Sequence, residues 1–217
     1  EISMFTPEIL AYPYSLTSSM EKERRETIEY LLKSVETAAR LGTGKMQITA
    51  KHPGYGVKRE TVWEYLEEGT SILCRRAGEL GVDIILESLS PSEGNTITCV
   101  DDILQLQERV KSPALCAMID MVPPFIANEP YSDYLERLGA SMKYVHICNG
   151  DGATEFHMQL DDRDGVIPVT DFFRILKRYG YDGWCSLELL NPYFRDPELY
   201  LSQAVRTIRR IREELDL

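Results

Sequence analysis

The sequence predicts an α/β fold with a parallel sheet, a (β/α)8 barrel lacking two of its units. Two observations carry this. Strand-like and helix-like runs alternate with short αβ turns and longer βα loops. Four residues of metal-ligand type also close four consecutive strand-like runs: Glu87 ends DIILE, Asp120 ends LCAMID, His146 ends KYVH and Glu188 ends WCSLE. In barrels, functional residues gather at the carboxyl ends of the strands, so ligands on four neighbouring strands are expected to meet.

EISMFT opens the chain as a strand, followed by a polar loop with Tyr12, Pro13 and Tyr14 and a helix from about Met20 to Leu41 that Gly42 and Gly44 end. KMQITA is the next strand, HPGYG a loop, and 59–80 a helix stopped by Gly81 before the strand VDIILE. After SLSPSEGNTITC a helix is expected over 100–110, broken by Ser112-Pro113 ahead of ALCAMID. The prolines of MVPPF exclude helix and sheet there, so the next helix is placed at 132–138. SMKYVHIC is a strand and 149–168 a long polar loop. A helix over 170–179 and the strand DGWCSLEL lead to a last helix, 197–214, with Leu199, Leu201, Ala204, Val205, Ile208 and Ile211 on an amphipathic pattern.

That makes six βα units in one domain, 1–217, where a closed barrel needs eight. Because Glu1 stands directly before a strand, the two absent units are expected at the amino-terminal side. A six-stranded doubly wound sheet competes, but it normally carries a Gly-rich phosphate loop after its first strand, and none is present.

Composition narrows the function. With 217 residues, 43% apolar content and a net charge of -11, the chain is suited to one large core and not to a polyanion such as nucleic acid. A small neutral or partly cationic substrate fits better. The five cysteines, Cys74, Cys99, Cys116, Cys148 and Cys185, are odd in number and mostly embedded in apolar patterns, which predicts reduced packing residues and a cytoplasmic location. No apolar run reaches the ~18 residues of a membrane span, and no signal-peptide pattern appears.

Carboxylates and imidazole without thiolate suit a divalent ion such as Mn²⁺, Mg²⁺, Co²⁺ or Zn²⁺. Each residue taken alone has a plainer role. A glutamate after Ile84, Ile85 and Leu86 serves a salt bridge as readily as a metal, Asp120 could cap a helix but the next one expected starts too far downstream, and a lone His146 among apolar neighbours is more often a satisfied core residue. Repetition over four strands favours a site. Glu87 and Glu188 flanking one metal suit acid and base roles in proton transfer α to a carbonyl. Glu93, His157, Asp151 and His52 lie in loops, where solvated side chains compete with substrate contacts; Tyr12 and Tyr14 either wall a pocket or pack beneath their loop.

ILESLSPSE, MIDM, YVHICNGDG and SLELL, together with FTPEILAYPY, KHPGY and DGATEFH, resemble the sugar isomerase and epimerase family that shares the xylose-isomerase-like TIM barrel. Within that family the chain is most similar to the fructoselysine 3-epimerase group and the ketose 3-epimerases, from the third strand to the eighth. The resemblance implies metal ligands Glu87, Asp120, His146 and Glu188, with manganese foremost. It also implies a C3 epimerisation through a metal-stabilised enediolate with the two glutamates as acid and base, and Glu93, His157, His52 and Tyr14 as substrate contacts. A homo-oligomer and a sugar or sugar-amine substrate are expected.

Pro123 stands where ketose 3-epimerases carry a histidine, NGDGA where they carry an arginine, and HMQLDDRDGVIP where the family has a histidine with a Pro-Gly-x-Gly turn. The first two departures are shared with the fructoselysine type and weigh against a free ketose. The third leaves the substrate open. Inosose dehydratase, hydroxypyruvate isomerase and a catalytically silent sugar-binding relative are the alternatives. Endonuclease IV needs more histidines than the three present.

Overall fold

Glycine sets the lengths of the two longest helices. A computed structural model of the chain describes residues 1–10, 13–54, 56–190 and 193–217, with the side chain of Phe194 also set aside. Tyr12 and the tyrosine of HPGYG therefore lie outside the described residues. Helix α1, Glu21–Leu41, ends at Gly42, whose φ of 71° lets its N–H return to the carbonyls of Ala38 and Ala39. Helix α2, Arg59–Leu80, ends the same way at Gly81 with φ 67°. An L side chain in either left-handed position would be strained.

The strands are β1 (Lys45–Ile48), β2 (Asp83–Leu86), β3 (Leu115–Asp120), β4 (Met142–Ile147) and β5 (Trp184–Leu187), in the sheet order β1-β2-β3-β4-β5. Pairings β1–β2, β2–β3 and β4–β5 are parallel. The remaining helices are α3 (Val100–Val110), α4 (Val122–Ile126), α5 (Tyr131–Leu138), α6 (Val169–Arg178) and α7 (Pro197–Leu215). Strand then helix, repeated along a parallel sheet, is the expected α/β barrel pattern.

The chain packs as two compact units, residues 1–118 with 140–143, and 119–139 with 144–217. In the first, α1 lies on α2 and α2 on α3. Trp63, Leu66 and Leu73 of α2, Leu31 and Val35 of α1 and Ile84 and Ile85 of β2 are all but closed to solvent. β1 and β2 register from Lys45 opposite Asp83 to Ile48 opposite Leu86. In the second unit α5 packs on α6, and Tyr131 meets Phe172 edge-on at 4.8 Å. β4 and β5 register from Tyr144 opposite Trp184 to Ile147 opposite Leu187.

Three expectations are corrected. The first strand is reduced to one bridge, Phe5 to Met46, held by Phe5 N–H to the Lys45 carbonyl and Gln47 N–H to the Phe5 carbonyl. MVPPF does form a helix, α4, because its prolines fall in the first turn, where a missing N–H breaks no helical bond. On α7 only Ala204 and Ile211 of the six apolar residues are buried, with Thr207 and Leu215 beside them, while Leu199, Leu201 and Val205 are exposed. All five cysteines are free; Cys99 and Cys185 are half-buried and the other three buried. No described helix is long and apolar enough to cross a membrane.

Candidate metal centre

In the second unit β3 is buried along its whole length, and Asp120 is its last residue. The chain turns at once into α4, and Asp120 Oδ1 accepts the Val122 N–H at 2.7 Å, so the expectation that the next helix starts too far downstream for Asp120 to bond its first turn is corrected. The other oxygen, Oδ2, is buried with no hydrogen-bond partner among the described residues, 3.5 Å from His146 Nδ1. An ionised carboxylate oxygen left so is costly, and a cation removes the cost.

His146 is the fifth residue of β4, with the ring of Tyr144 edge-on at 5.7 Å. Glu188 follows β5 directly, its N–H on the Ile147 carbonyl, and its Oε2 is 2.7 Å from His146 Nδ1. Asp120, His146 and Glu188 each present a ligand atom within 4.8 Å of the others, a donor set of two carboxylates and an imidazole that fits a divalent ion.

His157 arrives from the long loop. Asn149 and Met158 exchange N–H to carbonyl bonds at 2.9 and 2.8 Å, which fixes the residue just before Met158 against β4. The Asn149 amide does more. Its oxygen accepts from Gly150 and Ile167 N–H, both at 2.9 Å, and its nitrogen donates to the Leu160 carbonyl. Gly165 passes so close that a Cβ there would lie 2.4 Å from this amide. These contacts shape the stretch that replaces the Pro-Gly-x-Gly turn.

His157 is buried rather than facing water, with Nε2 at 3.1 Å from Asp120 Oδ1 and 3.8 Å from Glu155 Oε1. Burial by itself would lower its pKa. The Asp120 charge and hydrogen bond outweigh that and raise it to about 9. For Asp120 burial pushes upward, but the charge and hydrogen bond of His157 and the nearby His146 imidazole prevail and hold the carboxyl below the usual range. Cys148, one residue past β4, sets its Sγ 3.8 Å from Asp120 Oδ1, and burial together with Asp120 and Glu188 pushes its thiol well up.

In the first unit Glu87 follows β2 directly and is buried at 7% exposure, with its N–H on the Ile48 carbonyl. Gln47 of β1 donates from Nε2 to Glu87 Oε2 at 2.5 Å, and Thr6 Oγ1 donates in turn to Gln47 Oε1 at 2.9 Å. Glu93 is half-buried on a turn, its N–H bonded to the Ser90 carbonyl. His52 is exposed, with Nδ1 accepting the Gly54 N–H and Nε2 3.2 Å from the Asn95 amide. Tyr14 stacks on Tyr30 of α1 at 4.1 Å. Asp151 is exposed, and its carboxylate accepts from Ala153 and Thr154.

Three residues near these carboxylates escaped the sequence reading. Gln47 had a signal, as a polar side chain between Met46 and Ile48. Cys148 read as packing, and Glu155 lies in a polar loop without a period.

A model of the xylose isomerase-like TIM barrel matches residues 1–211. The chain is 33% identical over 210 residues to fructoselysine 3-epimerase of Escherichia coli O157:H7, covering 97% of this chain and 76% of that protein. It superposes on the crystal structure of 3-keto-D-glucoside 4-epimerase from E. coli with TM-score 0.81 and 14% identity, over 96% of this chain and 78% of the other. D-psicose 3-epimerase from Clostridium cellulolyticum H10, solved with D-tagatose, gives TM-score 0.79 and 16% identity over 98% and 77%. The chain belongs to the xylose isomerase-like TIM barrel family.

Proposed function

We propose that this chain, an isomerase-class enzyme with sugar epimerases for relatives, inverts C3 of a ketose or fructosyl-amine with the help of one divalent ion. The observation that carries the reading is the buried Asp120 oxygen without a hydrogen-bond partner among the described residues, beside His146 and Glu188 within ligand distance of one another. Glu87, at the end of β2, is proposed as the fourth ligand by its place in the strand series and by the family resemblance, and Mn²⁺ as the ion. The ion would supply positive charge to substrate oxygens as the C3 proton leaves.

Glu87 and Glu188 act as the two proton carriers, one taking the C3 proton and the other delivering a proton to the opposite face. Gln47 fixes the Glu87 carboxylate through its amide, and His146 fixes that of Glu188. Glu93, His157, His52 and Tyr14 are kept as substrate contacts. For His157 the ring atom left to a hydroxyl is Nδ1, which has no hydrogen-bond partner among the described residues. Free cysteines suit a reducing compartment, and exposed Trp184, Leu199, Leu201 and Val205 suit assembly with a second copy, which sedimentation equilibrium tests.

Incubation in deuterated water with Mn²⁺ is the decisive experiment. Deuterium is expected at C3 of fructosyl-amines more than of free ketoses; unlabelled substrate of both kinds after long incubation overturns the reading.

A further inference from the structure

We propose that Asp120, Cys148 and His157 form a second cation site, for a thiolate-preferring ion such as Zn²⁺, that shares the Asp120 carboxylate with the first. It rests on the proposed function only through that shared carboxylate, since all three ligands lie in the second unit.

The geometry is close to a coordination sphere already. Asp120 Oδ1 is 3.1 Å from His157 Nε2 and 3.8 Å from Cys148 Sγ, and the three ligand atoms lie within 4.8 Å of one another. Tetrahedral zinc, with bonds of about 2.3 Å to sulfur and 2.0–2.1 Å to nitrogen or oxygen, sets its ligand atoms roughly 3.3–3.6 Å apart. The two distances from Asp120 therefore lie within a few tenths of an ångström of the spacing the ion needs. The two oxygens of Asp120 divide cleanly: Oδ2 faces His146, while Oδ1 faces the thiol and His157. A carboxylate so divided can bridge two ions.

All three side chains are buried, with Cys148 at 0% and Asp120 at 2% exposure. Glu155 Oε1, 3.8 Å from the same His157 nitrogen, is a further oxygen donor near the site. As the ion binds, the thiol proton and the His157 Nε2 proton leave to solvent, and the imidazole keeps its proton on Nδ1. Thiolate selects Zn²⁺, Co²⁺ or Cd²⁺ over Mn²⁺ and Mg²⁺, so the two sites differ in metal class.

Metal-stripped full chain titrated with Co²⁺ tests this, read as ions bound and as the near-ultraviolet thiolate-to-cobalt absorption band. Two Co²⁺ per chain with the band are expected, against one Mn²⁺. Cys148→Ser and, separately, His157→Asn should each lose the band and one Co²⁺, with circular dichroism unchanged. Glu87→Gln should weaken one ion and keep the band, so a band that survives where Mn²⁺ never binds refutes the first site alone. Wild-type protein without the band, or a band undiminished in Cys148→Ser, overturns the second site.

Discussion

Glu87 and Asp120 hold equivalent places, at the carboxyl ends of β2 and β3, and both are buried, but their partners differ in kind. Glu87 is held by a neutral chain that runs from the Thr6 hydroxyl through the Gln47 amide. Asp120 stands between two imidazoles. A neutral donor fixes a carboxylate at any pH, whereas an imidazole does so most strongly when protonated. Position thus sets each carboxylate at a strand end, and the neighbouring side chain decides whether its setting answers to pH.

The largest expected effect tests what the two ends share. Glu87→Gln and Glu188→Gln should each lower C3 proton exchange roughly 10²- to 10⁴-fold, read by deuterium incorporation; wild-type exchange in either variant breaks the pairing of roles. Chelation should abolish exchange and Mn²⁺ restore it.

Next comes pH. In metal-free protein His157 is raised from 6.5 to about 9, so its contribution is whole below pH 6.5 and lost as pH rises through 9. Asp120 is held below its ordinary 3.8, so on the acid side the same interaction is lost only as pH falls below that range. Counted once, it is worth on the order of 3 kcal/mol. Urea midpoints at pH 6 and 9.5 should differ accordingly, and His157→Gln should flatten the difference.

Smaller effects belong to the Glu87 end. Gln47→Leu removes a buried donor and should cost about 1–3 kcal/mol at either pH. Thr6→Val should cost roughly 0.5–1.5 kcal/mol, again without pH dependence. A pH-dependent Gln47→Leu effect would dissolve the contrast.

Much of this was legible beforehand. α2 and α3 fall on the expected bounds because Gly81 and Ser112-Pro113 punctuate them. Glu87, Asp120, His146 and Glu188 stand out as candidates because a polar residue at the end of an apolar strand interrupts a strong pattern. α4 was missed because proline bars a helix interior but not its first turn. The exposed residues on α7 carry a helical period that does not say what covers it. Gln47 matters only through contacts remote in sequence, with Glu87 and Thr6, and no local pattern records those.

One amide governs the long loop. Asn149 takes two N–H groups on its oxygen and gives its nitrogen to Leu160, and the next residue is a glycine. Asparagine is a thermolabile residue, and hydrolysis to aspartate would set an acceptor against the Leu160 carbonyl. Stored protein is therefore expected to become open to proteolysis within 149–168 before elsewhere, and Asn149→Asp to show that cleavage when fresh; an aged sample cut first in another segment would contradict this. The loop that departs most from the family would then be the part of the molecule that keeps time.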